Sequence, residues 1–165
     1  MMGKAVQDAI NEQIQYELYS AYVYLSMSAY CEEQSLPGFA KWLRLQAQEE
    51  VGHAMKLFDH LVERGAHVEL RAVDAPPDGY ASPRDAFEKA LAHEQHVTER
   101  IHRLYELAVR EKDYPAQVML QWFIEEQVEE EQNTGAMVDA LKRIGDDGAA
   151  LVLLDREAGA RSSAD

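Results

Sequence analysis

The chain has 165 residues, with 30 Asp and Glu against 16 Lys and Arg and a formal net charge of −14. That length suits one domain, residues 1–165, with one buried core, and so acidic a surface repels the phosphates of nucleic acid and attracts cations. Cys31 is the only cysteine, which excludes a disulfide framework, a four-cysteine zinc site and a rubredoxin-type iron centre within one chain.

The start, Met1-Met2-Gly3-Lys4-Ala5-Val6, runs straight into polar helical sequence without an apolar h-region, so no signal peptide is expected. No apolar run is long enough to span a bilayer. A soluble cytoplasmic protein is the expectation.

Apolar residues recur at helical spacing almost throughout, which predicts an all-α fold. The first helix is expected over 4–33. Gln34-Ser35-Leu36-Pro37-Gly38 breaks the pattern, with Ser35 as candidate N-cap and Pro37 in the next first turn. The second helix follows over 37–64, where Gly65 supplies a C-cap signal. The stretch to Ser82 contains Pro76-Pro77-Asp78-Gly79 and reads as an extended connection. Ser82-Pro83 restarts a helix over 83–112, and Asp113-Tyr114-Pro115 turns tightly into a fourth over 115–144, ended by Gly145. A short fifth helix over 149–157 precedes the polar tail Ser162-Ser163-Ala164-Asp165. Two helical hairpins joined by one long crossover differ from an up-down-up-down bundle, which uses only short loops.

The inward stripe of each helix, read at alternating steps of three and four, carries polar residues where a bundle would place apolar ones. The first helix gives Ile10, Ile14, Glu17, Ala21, Tyr24 and Ser28; the second gives Phe39, Leu43, Gln46, Glu50, His53 and Leu57. The third gives Phe87, Leu91, Glu94, Thr98, Ile101 and Tyr105; the fourth gives Leu120, Phe123, Gln127, Glu130, Thr134, Met137 and Leu141. Facing residues of an antiparallel hairpin are equidistant from its turn. Glu17 and His53 centre on position 35, and Glu94 and Glu130 on 112, both at predicted turns, so each hairpin assembles its polar groups as a layer.

Carboxylates buried together cannot all remain ionised without compensation, because desolvation and mutual repulsion add. Divalent cations resolve both problems, and carboxylate oxygens with one imidazole suit iron or manganese. Glu50 and His53, at i and i+3, point the same way and can bind one metal together.

At these residues the chain resembles the haem-free bacterial ferritins. The resemblance rests on Gln15-Tyr16-Glu17-Leu18-Tyr19-Ser20-Ala21-Tyr22, Gln48-Glu49-Glu50-Val51-Gly52-His53-Ala54-Met55 and Phe123-Ile124-Glu125-Glu126-Gln127-Val128-Glu129-Glu130-Glu131, and it extends over essentially the whole chain. It implies a ferritin-like four-helix bundle with one long crossover and a short C-terminal helix. It implies that Glu17, Glu50 and His53 bind a first ferroxidase iron, and that Glu50 bridges to a second held with Glu94 and Glu130. Gln127 would tune the pair by hydrogen bonding, and Tyr24 would stand beside it as a possible electron donor. A third iron position would use Glu49, Glu126 and Glu129, with Glu130 shared. The implied reaction is oxidation of Fe2+ to Fe3+ by O2 or H2O2, with the product stored as a ferric mineral in a hollow 24-subunit homo-oligomeric shell. Val51 and Gly52 stand where a haem-ligating methionine would precede the histidine, and Gln127-x-x-Glu130 replaces a second Glu-x-x-His, so no haem is expected.

Six consecutive apolar residues, Ala149 to Leu154, would be a liability on a monomer and suit burial against symmetry mates. His60, His67, His93, His96 and His102 have no evident partner. Two other classes remain open at this point: a di-iron oxidase that forms no shell, which a discrete dimer would favour, and an inert helical bundle, which would take up no iron.

Overall fold

The computed structural model describes residues 2–162, and among them five helices form: α1 (Lys4–Glu33), α2 (Pro37–Glu63), α3 (Pro83–Arg110), α4 (Tyr114–Ile144) and α5 (Gly148–Gly159). Of the polar tail expected at the end, only Ser162 lies within the described residues. α1 packs on α2 and α3 on α4, with α1 against α3 joining the two hairpins and α5 set against α2 and α4.

The turns follow from how each helix ends. After α1, the Leu36 N–H reaches the Cys31 carbonyl at 2.9 Å and the Ser35 N–H that of Glu32 at 3.0 Å, a Schellman closure that drives Ser35 to φ 59. Ser35 is therefore not the N-cap of the second helix. That position is Leu36, which offers no side-chain cap. The reversal is so short that closing α1 takes the residue expected to open α2. The same closure recurs at Gly65, φ 64, and at Lys112, φ 54. It ends α3 at Arg110 rather than at 112, because a residue in the left-handed region cannot continue a right-handed helix. Ser82 caps α3 by accepting from Asp85 N–H, and Asp113 caps α4 by accepting from Ala116 N–H, each at 3.1 Å. Asp113 also accepts two bonds from Arg64, at 2.8 and 3.1 Å, which ties the end of α2 to the α3–α4 turn.

The crossover runs beside α1. Buried Asn11 donates to the His67 carbonyl at 3.0 Å and accepts from the Glu69 N–H at 2.8 Å. Gln15 donates to the Ala72 carbonyl and Ser26 to that of Pro77. Going from His67 to Pro77, the connection climbs from the level of Asn11 to that of Ser26, so α3 begins beside the far end of α1 and descends antiparallel to it.

Two apolar clusters fill the interior. One contains Tyr24, Met27, Phe39, Leu43, Phe87 and Leu141; the other contains Ile10, Ile14, Leu57, Ile101, Leu120 and Phe123. On every long helix the expected polar residues fall between them. The buried face of α3 departs from the expected stripe: Phe87, Ala90, Glu94, Val97, Ile101, Leu104 and Ala108 are buried, while Leu91, Thr98 and Tyr105 sit half-buried at its flank. Alternation of three and four can be entered in either phase, and packing in the bundle selects the one that puts small Ala90 inward.

α5 docks through the first turn of α2. A Cβ on Gly38 would stand 1.7 Å from the Asp155 carbonyl oxygen, the Phe39 N–H donates to Asp155 Oδ1 at 2.8 Å, and Lys41 donates to the Gly159 carbonyl at 2.8 Å. Leu151 and Leu154 pack on the core, whereas Val152 and Leu153 are 47% and 65% exposed in the single chain.

Two glycine substitutions are expected to act in opposite directions. Gly38→Ala puts a methyl into a backbone carbonyl and should detach α5, costing about 1–3 kcal/mol or more. Gly135→Ala, on α4 with nothing within 4 Å of its Cβ, should stabilise by about 0.5–1 kcal/mol. Denaturation midpoints, with hydrogen exchange of the α5 amides for Gly38→Ala, check both.

Candidate metal centre

The layer between the two apolar clusters draws on all four long helices: Glu17 from α1, Gln46, Glu50 and His53 from α2, Glu94 from α3, Gln127 and Glu130 from α4. All seven are buried, with Glu17 and Glu50 each 1% exposed. Ligating atoms of Glu17, Glu50 and His53 lie within 4.8 Å of one another, and so do those of His53, Glu126 and Glu130. The i, i+3 spacing on α2 puts His53 Nδ1 3.3 Å from Glu50 Oε2, while its Nε2 stands 3.7 Å from Glu126 Oε1. The imidazole therefore touches both groups.

Hydrogen bonds hold the remaining carboxylates in place. Gln13 donates to Glu17 Oε1 at 2.8 Å and Gln46 to Glu130 Oε2 at 2.6 Å. Glu94 accepts from the Tyr24 hydroxyl and, at 3.1 Å, from the Gln127 amide. One oxygen of each inner α1 and α2 carboxylate, Glu17 Oε2 and Glu50 Oε1, is buried with no hydrogen-bond partner. A buried anionic oxygen left bare costs the desolvation of that group. Two such oxygens beside an imidazole offer hard donors to a divalent cation.

Electrostatics follow from the crowding. Burial first, then the charge of Glu94, pushes the Glu50 carboxyl well above its ordinary range. Burial likewise raises Glu94, although bonds from Tyr24 and Gln127 oppose it. Glu130 is lifted to about 8, by burial and then by Glu94, with Glu49 adding to the effect. Burial would lower His53, but hydrogen bonds to Glu126 and Glu50 outweigh it and hold the imidazole up at about 11.

The residues assigned to a third position are spread more loosely. Glu126 is half-buried against His53, Glu129 is exposed, and Glu49 is taken up by an ion pair with Arg161 at 2.8 Å. Several neighbours carry no motif signal. His93 shares a hydrogen bond of 2.7 Å with Ser20, stacks on Tyr16 with ring centroids 5.5 Å apart, and meets Tyr24 edge-on at 6.5 Å. Burial lowers its pKa to about 4, so it is a neutral packing partner behind Tyr24 and not a surface histidine. Gln46 lies on the inward stripe, whereas Gln13 lies off that stripe and is buried all the same. Trp122 packs edge-on against His53 at 5.6 Å.

Comparison with known proteins agrees with this geometry. A family described as Ferritin-like domain matches residues 7–144. The chain is 42% identical over 162 residues to the bacterial non-heme ferritin of Staphylococcus aureus strain USA300, covering 98% of each. It is 43% identical to that of Staphylococcus saprophyticus, covering 98% of this chain and 97% of the other. Among solved structures, a closed form of the Archaeoglobus fulgidus ferritin engineered by site-directed mutagenesis superposes with a TM-score of 0.98 at 47% identity, covering 99% of this chain and 100% of that one. An open pore ferritin from the same archaeon gives 0.96 at 47% identity, covering 98% of each.

The layer fixes the sign of a pH dependence in the metal-free protein. Folded Glu50, Glu94 and Glu130 keep protons that the unfolded chain gives up near 4.5, Glu130 doing so up to about 8. Folded His53 keeps its proton from 6.5 up to about 11. Their contribution is therefore full below pH 4.5 and lost as pH rises. Asp113, Asp85 and Glu126, all lowered, act with the opposite sign in the acid range. Melting temperatures with chelator should fall as pH goes from about 6 to 8, and Zn2+ should reverse that slope by displacing the protons.

Proposed function

The chain belongs to the ferritin family, as an iron-storing ferroxidase of its bacterial non-haem kind, and on that premise we propose that it oxidises Fe2+ at two adjacent positions inside each subunit. The clustering of Glu17, Glu50 and His53 in a buried layer, with one oxygen of each carboxylate lacking a hydrogen-bond partner, carries this reading. Glu17, Glu50 and His53 take the first iron. Glu50 bridges to the second, which Glu94 and Glu130 complete.

Each Fe2+ supplies one electron. Two Fe2+ with O2 and two protons give two Fe3+ and H2O2, and H2O2 serves in turn as an oxidant. The carboxylates favour the product over the substrate, because a negative ligand set stabilises the higher charge. Gln127 and Tyr24 position Glu94, and Tyr24, fully buried and bonded to that ligand, supplies one electron in addition to those from iron when O2 is reduced beyond H2O2 to water, which takes four electrons and four protons. Glu49, Glu126 and Glu129 with Glu130 form the third iron position, on the way out of the pair. No haem takes part.

The product is stored as a ferric mineral inside a 24-subunit shell, each subunit acting as one domain. Exposed Val152 and Leu153 on α5, with Tyr22, Leu25 and Val51 on α1 and α2, supply apolar surface for contacts between copies. No helix among the described residues is long and apolar enough to cross a membrane, and we place the shell in the cytoplasm.

Anaerobic loading with Fe2+ followed by a pulse of air tests this. Oxidation of about two irons per subunit in a fast phase is expected, with ferric mineral then retained in large particles by light scattering. Glu50→Gln, which keeps the side-chain volume and removes a ligand charge, should slow the fast phase about a hundredfold or more. Oxidation without retained mineral would indicate an oxidase that stores nothing. No oxidation above the buffer rate would defeat the di-iron assignment.

A further inference from the structure

Arg161, two residues beyond α5, is absorbed by no role assigned so far. Its Nη2 donates to both oxygens of Glu49, at 3.1 and 2.8 Å. Its guanidinium carbon stands 4.6 Å from the centre of the buried Trp42 ring. The two charged side chains are 21% and 24% exposed, sheltered enough that solvent does not cancel their attraction. Trp42 and Glu49 are two turns apart on α2, so the guanidinium lies along one face of that helix, stacked at one end and paired at the other. The peptide leading to it is pinned, because Lys41 holds the Gly159 carbonyl at 2.8 Å.

We propose that Arg161 is a built-in cation that occupies Glu49 and must be displaced before a third divalent ion can bind there. The inference rests on the assignment of Glu49, Glu126 and Glu129 to a third iron position. Glu126 is turned toward the His53 imidazole, which can release its proton, and Glu129 is exposed, so Glu49 is the one member of the set paired with a guanidinium. A guanidinium remains charged throughout the neutral range, and here its Nη2 alone donates to both Glu49 oxygens while Nη1 is buried without a hydrogen-bond partner. It therefore competes with iron without depending on pH. The exchange is cation for cation: two hydrogen bonds from Arg161 to the Glu49 oxygens break, metal–carboxylate coordination forms in their place, and no oxidation state changes. Its consequence is a third position weaker than the inner pair, through which iron passes instead of being retained. Displacement also frees the guanidinium from Trp42, which couples filling of that position to the segment after α5.

Zn2+, which binds without redox chemistry, separates the possibilities by calorimetry on the assembled protein under neutral conditions. The natural chain should bind two Zn2+ per subunit tightly and a third weakly. Arg161→Gln should tighten the third by about tenfold or more, the loss of a sheltered opposing charge, and leave the tight pair unchanged. Glu49→Gln should abolish the third in either background. In a Trp122→Phe background the remaining tryptophan, Trp42, should change its emission as the third equivalent binds. That change should be absent when Arg161→Gln is added. Arg161→Lys keeps a charge without the flat group that stacks on Trp42 and should fall between the two.

A third site whose affinity shifts by less than about twofold in Arg161→Gln, or a Trp42 emission that ignores the third Zn2+, would overturn the proposal and leave Arg161 as an anchor for α5. In that case Arg161→Gln would lower the melting temperature without touching binding. Absence of the tight pair itself would instead defeat the di-iron reading.

Discussion

Withdrawing Glu17, Glu50, Glu94 and Glu130 from water at one level of a bundle costs on the order of several kcal/mol for each ionised group, and the rest of the structure is arranged around that cost. The apolar residues cannot form one continuous core, so they form two clusters with the acidic layer between them. Each cluster must be large enough to hold its end of the bundle without help from the middle. Phe39, Phe87, Trp42 and Tyr24 do this on one side; Ile10, Leu57, Leu120 and Phe123 do it on the other. Slippage of any helix by one turn would bring a carboxylate into one of these clusters and a hydrophobic side chain into the layer.

Register is therefore under strong constraint, and the ends of the helices enforce it. Arg64 pairs with Asp113, which fixes α2 against the α3–α4 turn. Asn11 holds two backbone groups of the crossover, which fixes where α3 begins relative to α1. Neither contact belongs to the site, yet both set the level at which Glu94 meets Glu17 and Glu50. A polar residue fully buried far from the chemistry, as Asn11 is, makes sense as a spacer of this kind: its amide satisfies strand-like backbone that has no sheet to join.

The acidic layer could be read from the sequence because its signal is a violation. Glu17, Glu50, Glu94 and Glu130 occupy positions where helical periodicity demands an apolar side chain, and their distances from the two turns put each hairpin's pair at one height. Periodicity gave the existence of the helices for the same reason. It could not give the phase of α3, because steps of three and four fit Leu91 and Thr98 as well as Ala90 and Val97. Only packing against the other helices decides. Ser35 escaped because N-cap preference and left-handed geometry compete for one residue in a three-residue turn. His93 and Arg161 were invisible for a different reason. Each acts through a partner 73 or 112 residues away, and neither side chain breaks a local pattern.

In the metal-free protein, the acidic residues are neutralised by substitutes already present. Protons serve Glu130, lifted to about 8, and burial moves Glu50 and Glu94 in the same direction. The imidazolium of His53 serves its neighbours, raised to about 11 by Glu126 and Glu50. Arg161 serves Glu49 through a fixed guanidinium. These substitutes differ in how they yield. Protons leave freely as a divalent ion arrives, so the inner layer can fill completely and its binding is linked to pH. A guanidinium tethered to the chain is always on hand to return, so under the proposed assignment a position at Glu49 would empty more readily than the inner pair. A gradient from strong inner to weaker outer binding is what a site needs if its product is to move on to storage, and under the proposed assignment that gradient would come from the kind of cation paired with each carboxylate.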